Sequence, residues 1–172
     1  MSPADRCRYL FSLLALSLVL AGCGRAPTRP DQPAPAAVFV PANTNAIDAA
    51  NAVLFRAMSL VGTPYHWGGN TPTSGFDCSG LVTYIFRDAA AVRLPRQSSL
   101  MGEIRGRKLS RRQLQSGDLV FFAASRSISH VGVYVGEQRF VHAPNSGGTV
   151  RLDSLDSAWW KDHFVYGKRV FQ

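Results

Sequence analysis

The spacing of the apolar residues changes near Gly117, and this change limits the possible folds more than any other feature of the sequence. Before it, apolar side chains recur at helical spacing, which predicts a helix over residues 47–61, a second from residue 77 or 78, and a short third over 97–104. After it, short apolar runs separated by turn residues predict strands. The predicted strands cover residues 118–123, 130–135, 139–143, 149–152 and 165–171. Helices followed by hairpin-linked strands indicate an α+β domain, with N-terminal helices packed on an antiparallel sheet of about five strands.

A processing signal precedes this domain. Arg6 and Arg8 are followed by an apolar run over residues 10–20, which is shorter than the roughly 20 residues that a membrane-spanning helix needs. A basic start and a short apolar run are typical of a secretory signal peptide. The run ends in Leu-Ala-Gly-Cys, which resembles the bacterial lipobox. This resemblance implies a signal peptide over residues 1–22 and a lipid on Cys23, the first residue of the mature protein.

Residues 23–44 contain the lipidated cysteine and a Pro/Ala-rich stretch that cannot bury enough apolar surface to fold. Prolines keep such a stretch extended, so we expect it to act as a tether. Residues 45–172 are long enough for one domain with a single core. We therefore expect a cell-envelope protein anchored to a membrane through Cys23. In a Gram-negative organism it would lie on the outer membrane and face the periplasm.

Cys78 is expected to be the only thiol left after processing, because Cys7 is removed with the signal peptide and Cys23 carries the lipid. A lone exported thiol is an inert core residue, an intermolecular crosslinker or a nucleophile. Cys78 falls in the first turn of the second predicted helix, where the helix dipole and backbone N–H groups favour a thiolate and can hold an oxyanion. This position favours the nucleophile. Asp77, the expected N-cap, opposes the thiolate by its charge, so a cationic histidine is expected nearby.

Two histidines on adjacent predicted strands are candidates for the base that activates Cys78. His130 begins one strand and His142 lies on the next, and residues 136–138 can form a three-residue hairpin loop between them. In that register Gly132 lies opposite His142, and the two imidazoles point to the same face. A one-residue slip would place them on opposite faces. A cysteine at a helix start, a histidine base and a second polar group that orients the base form a nucleophilic triad.

Six motifs of the domain resemble those of the NlpC-type cell-wall cysteine peptidases. They follow the family's order and extend through nearly all of residues 45–172. The motifs are Pro-Tyr-His-Trp-Gly-Gly at 64–69, Phe-Asp-Cys-Ser-Gly-Leu at 76–81, Leu-Pro-Arg at 94–96, Gly-Asp-Leu-Val-Phe-Phe at 117–122, His-Val-Gly-Val-Tyr at 130–134 and Phe-Val-His-Ala at 140–143. The resemblance implies a circularly permuted papain-like fold that hydrolyses peptide-stem or crosslink amide bonds of peptidoglycan through a thioester.

The same resemblance implies the catalytic roles. Cys78 would be the nucleophile, His130 the base and His142 the residue that orients the base. Tyr65 would lie beside the sulfur and help bind the oxyanion, and an aromatic ring packed under its loop explains that position equally well.

Three polar residues and one aromatic residue have weaker assignments. Asp77 and Ser79 would touch the substrate, although capping the helix is the simpler account of both residues. Arg96 would meet a carboxylate of the peptide stem, or is a plain surface arginine. Trp67 is expected to pack against the domain.

Other functions stay open at this point. A stem amidase or an acyltransferase could use the same fold, and a wall-binding lipoprotein could use it without catalysis. A Cys/His metal site is disfavoured because the short paired spacings of structural zinc sites are missing, so we expect neither a metal nor another cofactor.

The charge balance indicates the class of partner. The formal net charge of +8 favours anionic partners of the envelope, such as cell-wall carboxylates, over nucleic acid. We expect a monomer that acts on peptidoglycan stems. The bond cut would be the D-alanyl–diaminopimelate crosslink or the D-glutamyl–diaminopimelate link within one stem.

Overall fold

The computed structural model describes residues 38–41, 45–144 and 148–171. These residues belong to the second of two units into which the chain divides, Ala34–Gln172. The predicted signal peptide, the lipid site at Cys23 and most of the predicted tether lie outside the described residues. Within the described ranges, no helix has the length and apolar character needed to cross a membrane.

Two capped helices open the domain and confirm the predicted helical spacing. Helix α1 (Ala46–Ser59) begins where the Asn45 side chain accepts a hydrogen bond from the Ile47 N–H at 3.0 Å. Helix α2 (Cys78–Ala90) begins where the Asp77 carboxylate accepts from the Gly80 N–H at 2.7 Å. Because side-chain acceptors at these positions satisfy N–H groups that the helix itself leaves unpaired, they fix where each helix starts. Cys78 is therefore the first residue of α2.

Two shorter helices complete the set. Helix α3 (Ser98–Glu103) matches the predicted third helix. Helix α4 (Ala158–His163) was not predicted, because six residues are too few to show a helical period. It carries the adjacent tryptophans Trp159 and Trp160.

The main sheet has six strands, one more than predicted, in the order β3-β8-β4-β5-β6-β7, and every neighbouring pair is antiparallel. The strands are β3 (Lys108–Leu109), β4 (Leu119–Phe122), β5 (His130–Gly136), β6 (Arg139–His142), β7 (Arg151–Ser154) and β8 (Phe164–Lys168). The additional strand is the edge strand β3, whose two residues are too few to show an alternating pattern. The predicted strand over 149–152 lies two residues too early, since β7 starts at Arg151.

A small hairpin lies between helices α1 and α2. Its strands are β1 (Asn70–Thr71) and β2 (Gly75–Phe76), and β2 leads directly into Asp77 and helix α2. The hairpin therefore sets the position of the helix start that carries Cys78.

Apolar layers cover both faces of the central strands, which explains why β4 and β5 read as continuous apolar runs. Helices α1 and α2 pack on one face, and a smaller cluster that includes Trp160 covers the other. The first layer buries Phe76, Leu81, Phe86, Leu119, Phe121, Val131 and Val141, and the second buries Val120, Phe122, Tyr134, Phe140 and Leu155. Each fully buried side chain of this size contributes about 1.5–3 kcal/mol to folding.

The β5–β6 hairpin confirms the predicted register by a different turn. Glu137 and Gln138 form a two-residue turn with φ of 49° and 57°, and the register shifts by one residue between Tyr134 and Gly136. The bulge supplies the residue that the shorter turn lacks, so the predicted three-residue loop is wrong while the pairing that it required is present. Val133 pairs with Val141, which places Gly132 across from His142.

Gly132 is needed at this position because the Phe140 ring and the backbone of β6 lie very close to it. A Cβ atom on Gly132 would lie 2.7 Å from Cδ2 of Phe140 and 2.9 Å from the carbonyl oxygen of Val141. Both distances are well inside van der Waals contact, so no larger residue fits without a shift of the hairpin.

Candidate active site

Cys78 and His130 line one cleft of about 500 Å³. Helix α2 presents Cys78 from one side and the first residue of β5 presents His130 from the other. Backbone N–H groups of Val131 and Ser79 act to lower the pKa of the Cys78 thiol, so the sulfur lies next to the start of β5 as well as next to its own helix. The structure therefore brings together the thiol and the histidine that the sequence analysis paired.

A hydrogen-bonded relay extends from His130 away from the cleft. Nε2 of His130 lies 2.9 Å from Nδ1 of His142, and Nε2 of His142 lies 3.0 Å from Oδ2 of Asp153. The first imidazole is 9% exposed and the second is fully buried. Oδ2 of Asp153 also accepts from Nε1 of Trp160 at 2.9 Å and from the Arg151 guanidinium at 3.0 and 3.1 Å. The predicted pairing of the two histidines is confirmed.

The proton positions in the relay follow from the ionised carboxylate of Asp153 at its end. An ionised carboxylate only accepts hydrogen bonds, so Nε2 of His142 must carry a proton and donate it to Asp153. In neutral His142, Nδ1 is then an acceptor, and Nε2 of His130 must be the donor to it. That leaves Nδ1 of neutral His130 unprotonated. The relay thus leaves His130 with one basic nitrogen, Nδ1, that is not engaged by His142 and can take a proton.

Burial keeps both imidazoles neutral. Desolvation, with a smaller contribution from His142, lowers the pKa of His130 to about 3, and the charge of Asp153 only partly opposes this. Desolvation also lowers the pKa of His142, although the hydrogen bond that His142 donates to Asp153 acts to raise it. The hydrogen bond to His142 holds the pKa of Asp153 well below its usual range, so the carboxylate is ionised at neutral pH.

The thiol is also neutral at rest, which corrects the expectation that the helix start favours a thiolate. Burial raises the pKa of Cys78, and the charge of Asp77 raises it further. The backbone N–H groups of Val131 and Ser79 and the charge of Arg96 act in the opposite direction without reversing the shift. A neutral thiol next to a neutral imidazole is suited to proton transfer at the moment of attack rather than to a preformed ion pair.

One wall of the cleft contains a fixed ion pair. The Arg96 guanidinium donates to both carboxylate oxygens of Asp77, at 2.9 and 2.7 Å, and to Oγ of Ser79 at 2.6 Å. Asp77 also accepts from the Gly68 N–H at 3.0 Å, and these bonds lower its pKa. Arg96 is therefore neither a plain surface arginine nor fully available for a ligand, because Asp77 and Ser79 hold it. Asp77 caps α2, as expected.

Two aromatic residues form part of the same cleft. Burial, together with the charges of Asp77 and Cys78, raises the pKa of Tyr65, so its hydroxyl stays protonated and can donate a hydrogen bond. Trp67 is 83% exposed, so the expectation that it packs against the domain is wrong. Trp67 instead lines the catalytic cleft.

Asp153 is the site residue that the sequence analysis missed. The predicted strand over 149–152 ended one residue before it, so its face of the sheet was not assigned. In the observed register His142 pairs with Arg151 and Phe140 with Asp153, which places Asp153 on the same face as His142. The available signal was the acidic side chain of Asp153, two residues after Arg151, which lies opposite His142. Among the described residues, no three His, Cys, Asp or Glu side chains are grouped so that they could hold a metal ion.

Comparisons with known proteins agree with this geometry. A model of the NlpC/P60 family matches residues 62–169. Murein DD-endopeptidase MepH of Escherichia coli (strain K12) is 39% identical over 125 residues, which are 71% of this chain and 46% of MepH. Murein DD-endopeptidase MepS/Murein LD-carboxypeptidase of the same strain is 36% identical over 124 residues, which are 72% of this chain and 64% of that protein. The chain thus spans about half the length of MepH.

Solved structures share the fold. The NlpC/P60 domain of peptidoglycan hydrolase SagA is 29% identical, covers 69% of this chain and 97% of its own chain, and superposes with a TM-score of 0.62. An NlpC/P60 family protein from Bacillus cereus ATCC 10987 is 28% identical and covers 72% of this chain and 40% of its own, with a TM-score of 0.66.

Proposed function

The chain belongs to the NlpC/P60 family, and on that premise we propose that it is a cysteine peptidase that hydrolyses peptide-stem or crosslink amide bonds of peptidoglycan. The observation that carries the proposal is the Cys78 thiol in one cleft with His130, whose free nitrogen is set by His142 and Asp153. The similarity to MepH and MepS, both murein endopeptidases, supports the choice of substrate.

The first half of the reaction forms a thioester. Nδ1 of His130 takes the proton of the Cys78 thiol as the sulfur attacks the carbonyl carbon of the substrate amide. The carbonyl oxygen becomes an oxyanion, which N–H groups of the first turn of α2 and the Tyr65 hydroxyl can stabilise. The C–N bond then breaks, the leaving amine takes the proton from His130, and the acyl group stays on sulfur.

Water completes the reaction. A water molecule attacks the thioester carbon and gives one proton to Nδ1 of His130. The C–S bond breaks, a carboxylic acid leaves, and the proton on His130 returns to sulfur. The cation formed on His130 in each half-reaction is stabilised by the carboxylate of Asp153 through His142, while neutral His130 is restored at the end of each half.

The fixed ion pair between Arg96 and Asp77 provides the wall against which the acyl half of the substrate would lie. Ser79 completes this wall through its hydroxyl. In this proposal the three residues position a polar peptide stem next to the sulfur and do not themselves move protons.

The export and anchoring of the enzyme are part of the same proposal. A signal peptide over 1–22, a lipid on Cys23 and a tether up to residue 44 would hold the domain in the cell envelope, within reach of the wall. In a Gram-negative organism the anchor would be the outer membrane, and we propose that the enzyme acts there as a monomer. Intact-mass analysis of the mature protein tests the anchor, since an unmodified Cys23 thiol would contradict it.

Mass spectrometry of the soluble fragments from purified peptidoglycan tests the activity. The wild-type protein should release fragments with new free amines and carboxylates on stem residues, and the masses identify the bond as the crosslink or the intra-stem link. Cys78→Ala protein, checked for its fold, serves as the blank. Fragments that reveal an N-acetylmuramoyl–alanine cut would indicate the stem amidase instead. New amide bonds between stems would indicate the acyltransferase, and no change with the wild-type protein would contradict the proposal.

A further inference from the structure

A second cavity meets the catalytic cleft at His130. Its volume is about 490 Å³, and His130 and Ser129 line both cavities, whereas Cys78 lines only the catalytic cleft. The remaining wall of the second cavity includes Arg151 from β7 and the two tryptophans of α4. The proposed reaction does not yet use this cavity.

The chemistry of the reaction decides which half of the substrate can reach each cavity. The acyl carbon becomes bonded to sulfur, so the acyl half must lie in the cleft that contains Cys78. The leaving amine takes its proton from His130, so its nitrogen must come within hydrogen-bond reach of that ring. The chain that follows the amine therefore starts at His130, where the second cavity opens.

Arg151 gives the second cavity a cationic group that is already oriented. Its Nε and one terminal nitrogen donate to Asp153, and its side chain is 52% exposed. The other terminal nitrogen has no partner among the described residues. A guanidinium held on one edge keeps its other edge for an anion, and carboxylates are the anions that it binds best.

Trp159 gives the same cavity an apolar wall. It is 47% exposed, its ring stacks on His163 with 4.0 Å between centroids, and it contacts Trp160 edge to face at 4.4 Å. These contacts hold the indole in place without covering it, so the exposed ring can pack against methylene groups of a ligand.

We propose that the second cavity is the subsite for the leaving half of the substrate. Arg151 binds the carboxylate of the amino acid whose amine is released, and Trp159 packs on the aliphatic part of that amino acid. This inference rests on the proposed peptidase function and adds to it a preference for leaving groups that keep a free carboxylate.

Kinetics with two matched substrates test the inference. Both have the same acyl half, and the leaving amino acid has a free carboxylate in one substrate and a carboxamide in the other. The wild-type kcat/KM should favour the carboxylate by about tenfold or more, the scale of a charge-assisted hydrogen bond. In Arg151→Ala this ratio should fall to about one. Loss of the contact between Arg151 and Asp153 changes the absolute rate for both substrates alike, so it does not affect the ratio. A ratio that Arg151→Ala leaves unchanged would overturn the inference.

The apolar wall has its own variant and control. Trp159→Ala should raise KM for both substrates and leave their ratio intact. Phe55→Ala removes an equally accessible aromatic ring, 71% exposed on α1 and outside both cavities, and should change neither value. If Trp159→Ala behaves like Phe55→Ala, the indole is no part of the subsite.

A binding experiment keeps the inference separate from the activity. Diaminopimelic acid and 1,5-diaminopentane, which has the same two amines without the carboxylates, are titrated into Cys78→Ala protein while tryptophan fluorescence is followed. Only the diacid should bind, and adding Arg151→Ala should weaken its binding about tenfold or more. Such binding, together with no hydrolysis of peptidoglycan by the wild-type protein, would refute the peptidase proposal and retain the subsite. Equal responses to the two ligands, or none to either, would refute the subsite.

Discussion

Replacing Asp153 by alanine tests the relay that sets the proton on His130. The carboxylate accepts from fully buried His142 at 3.0 Å, and such a charge-assisted hydrogen bond contributes about 1.5–3 kcal/mol. Without it His142 can carry its proton on Nδ1 instead and donate that proton to Nε2 of His130. His130 would then be protonated on Nδ1, the nitrogen that must accept the proton of Cys78.

The expected loss in rate follows from that free energy. Because about 1.4 kcal/mol corresponds to a factor of ten, kcat of Asp153→Ala should fall roughly 10- to 150-fold. KM should rise for substrates whose leaving half has a free carboxylate, because Asp153 also orients Arg151 of the second cavity, so kcat is the measure of the relay. Asp153→Asn keeps an acceptor oxygen for His142 and should lose less activity than Asp153→Ala.

The assay must separate this effect from loss of structure. Asp153→Ala leaves the buried N–H groups of His142 and Trp160 without an acceptor, which destabilises the fold by about 1–3 kcal/mol. Urea unfolding measures this loss, and kcat is then compared at a temperature where the variant is folded. Asp156→Ala, which removes a carboxylate with a 67% exposed side chain, is the matched control and should keep wild-type kcat. A folded Asp153→Ala protein with wild-type kcat would refute the relay.

Three further predictions test the histidines and their strand. His130→Ala should reduce hydrolysis to the level of Cys78→Ala. His142→Gln should retain more activity than His142→Ala, because the glutamine amide can accept from His130 and donate to the Asp153 carboxylate. A higher initial rate for His142→Ala than for His142→Gln would contradict the assigned protons. Gly132→Ala should lower the free energy of unfolding by about 1–3 kcal/mol, because its Cβ would lie 2.7 Å from the Phe140 ring, and an unchanged urea midpoint would count against the hairpin register. The pKa of His130 is about 3 in the folded protein against an ordinary value of 6.5, so the unfolded chain takes up the proton more readily, and the free energy of unfolding should fall by up to about 1.4 kcal/mol per pH unit as the pH drops from 6.5 towards 3. In urea titrations at several pH values, His130→Gln should show a shallower fall than the wild-type protein. Parallel curves for the two proteins would show that the imidazole is not held neutral.

The sequence predicted the parts of the structure that depend on local pattern. The start of α2 at Asp77 follows from a capping side chain next to apolar periodicity, and the position of α1 follows from that periodicity alone. The shared face of His130 and His142 follows from the two-residue period of strands, and the structure confirms it. The turn itself was wrong, because a bulge before Gly136 can restore a register that a two-residue turn alone would break.

The remaining features depend on contacts that no local pattern shows. Asp153 joins the site only through the pairing of β7 with β6, which is fixed by the packing of the whole sheet. The edge strand β3 and helix α4 are too short to show a period. The raised pKa of Cys78 results from burial and from the charge of Asp77, so the position of the thiol at a helix start was not sufficient to predict it.

Initial rates of peptidoglycan hydrolysis by wild-type and Cys78→Ala proteins test the central claim most directly. Removing the nucleophile of a triad lowers the rate on the order of 10³-fold or more, so folded Cys78→Ala protein should release almost no stem fragments. Circular dichroism and urea unfolding establish that both proteins are folded. Near-normal hydrolysis by folded Cys78→Ala protein would contradict the assignment of Cys78 as the nucleophile and, with it, the cysteine peptidase mechanism.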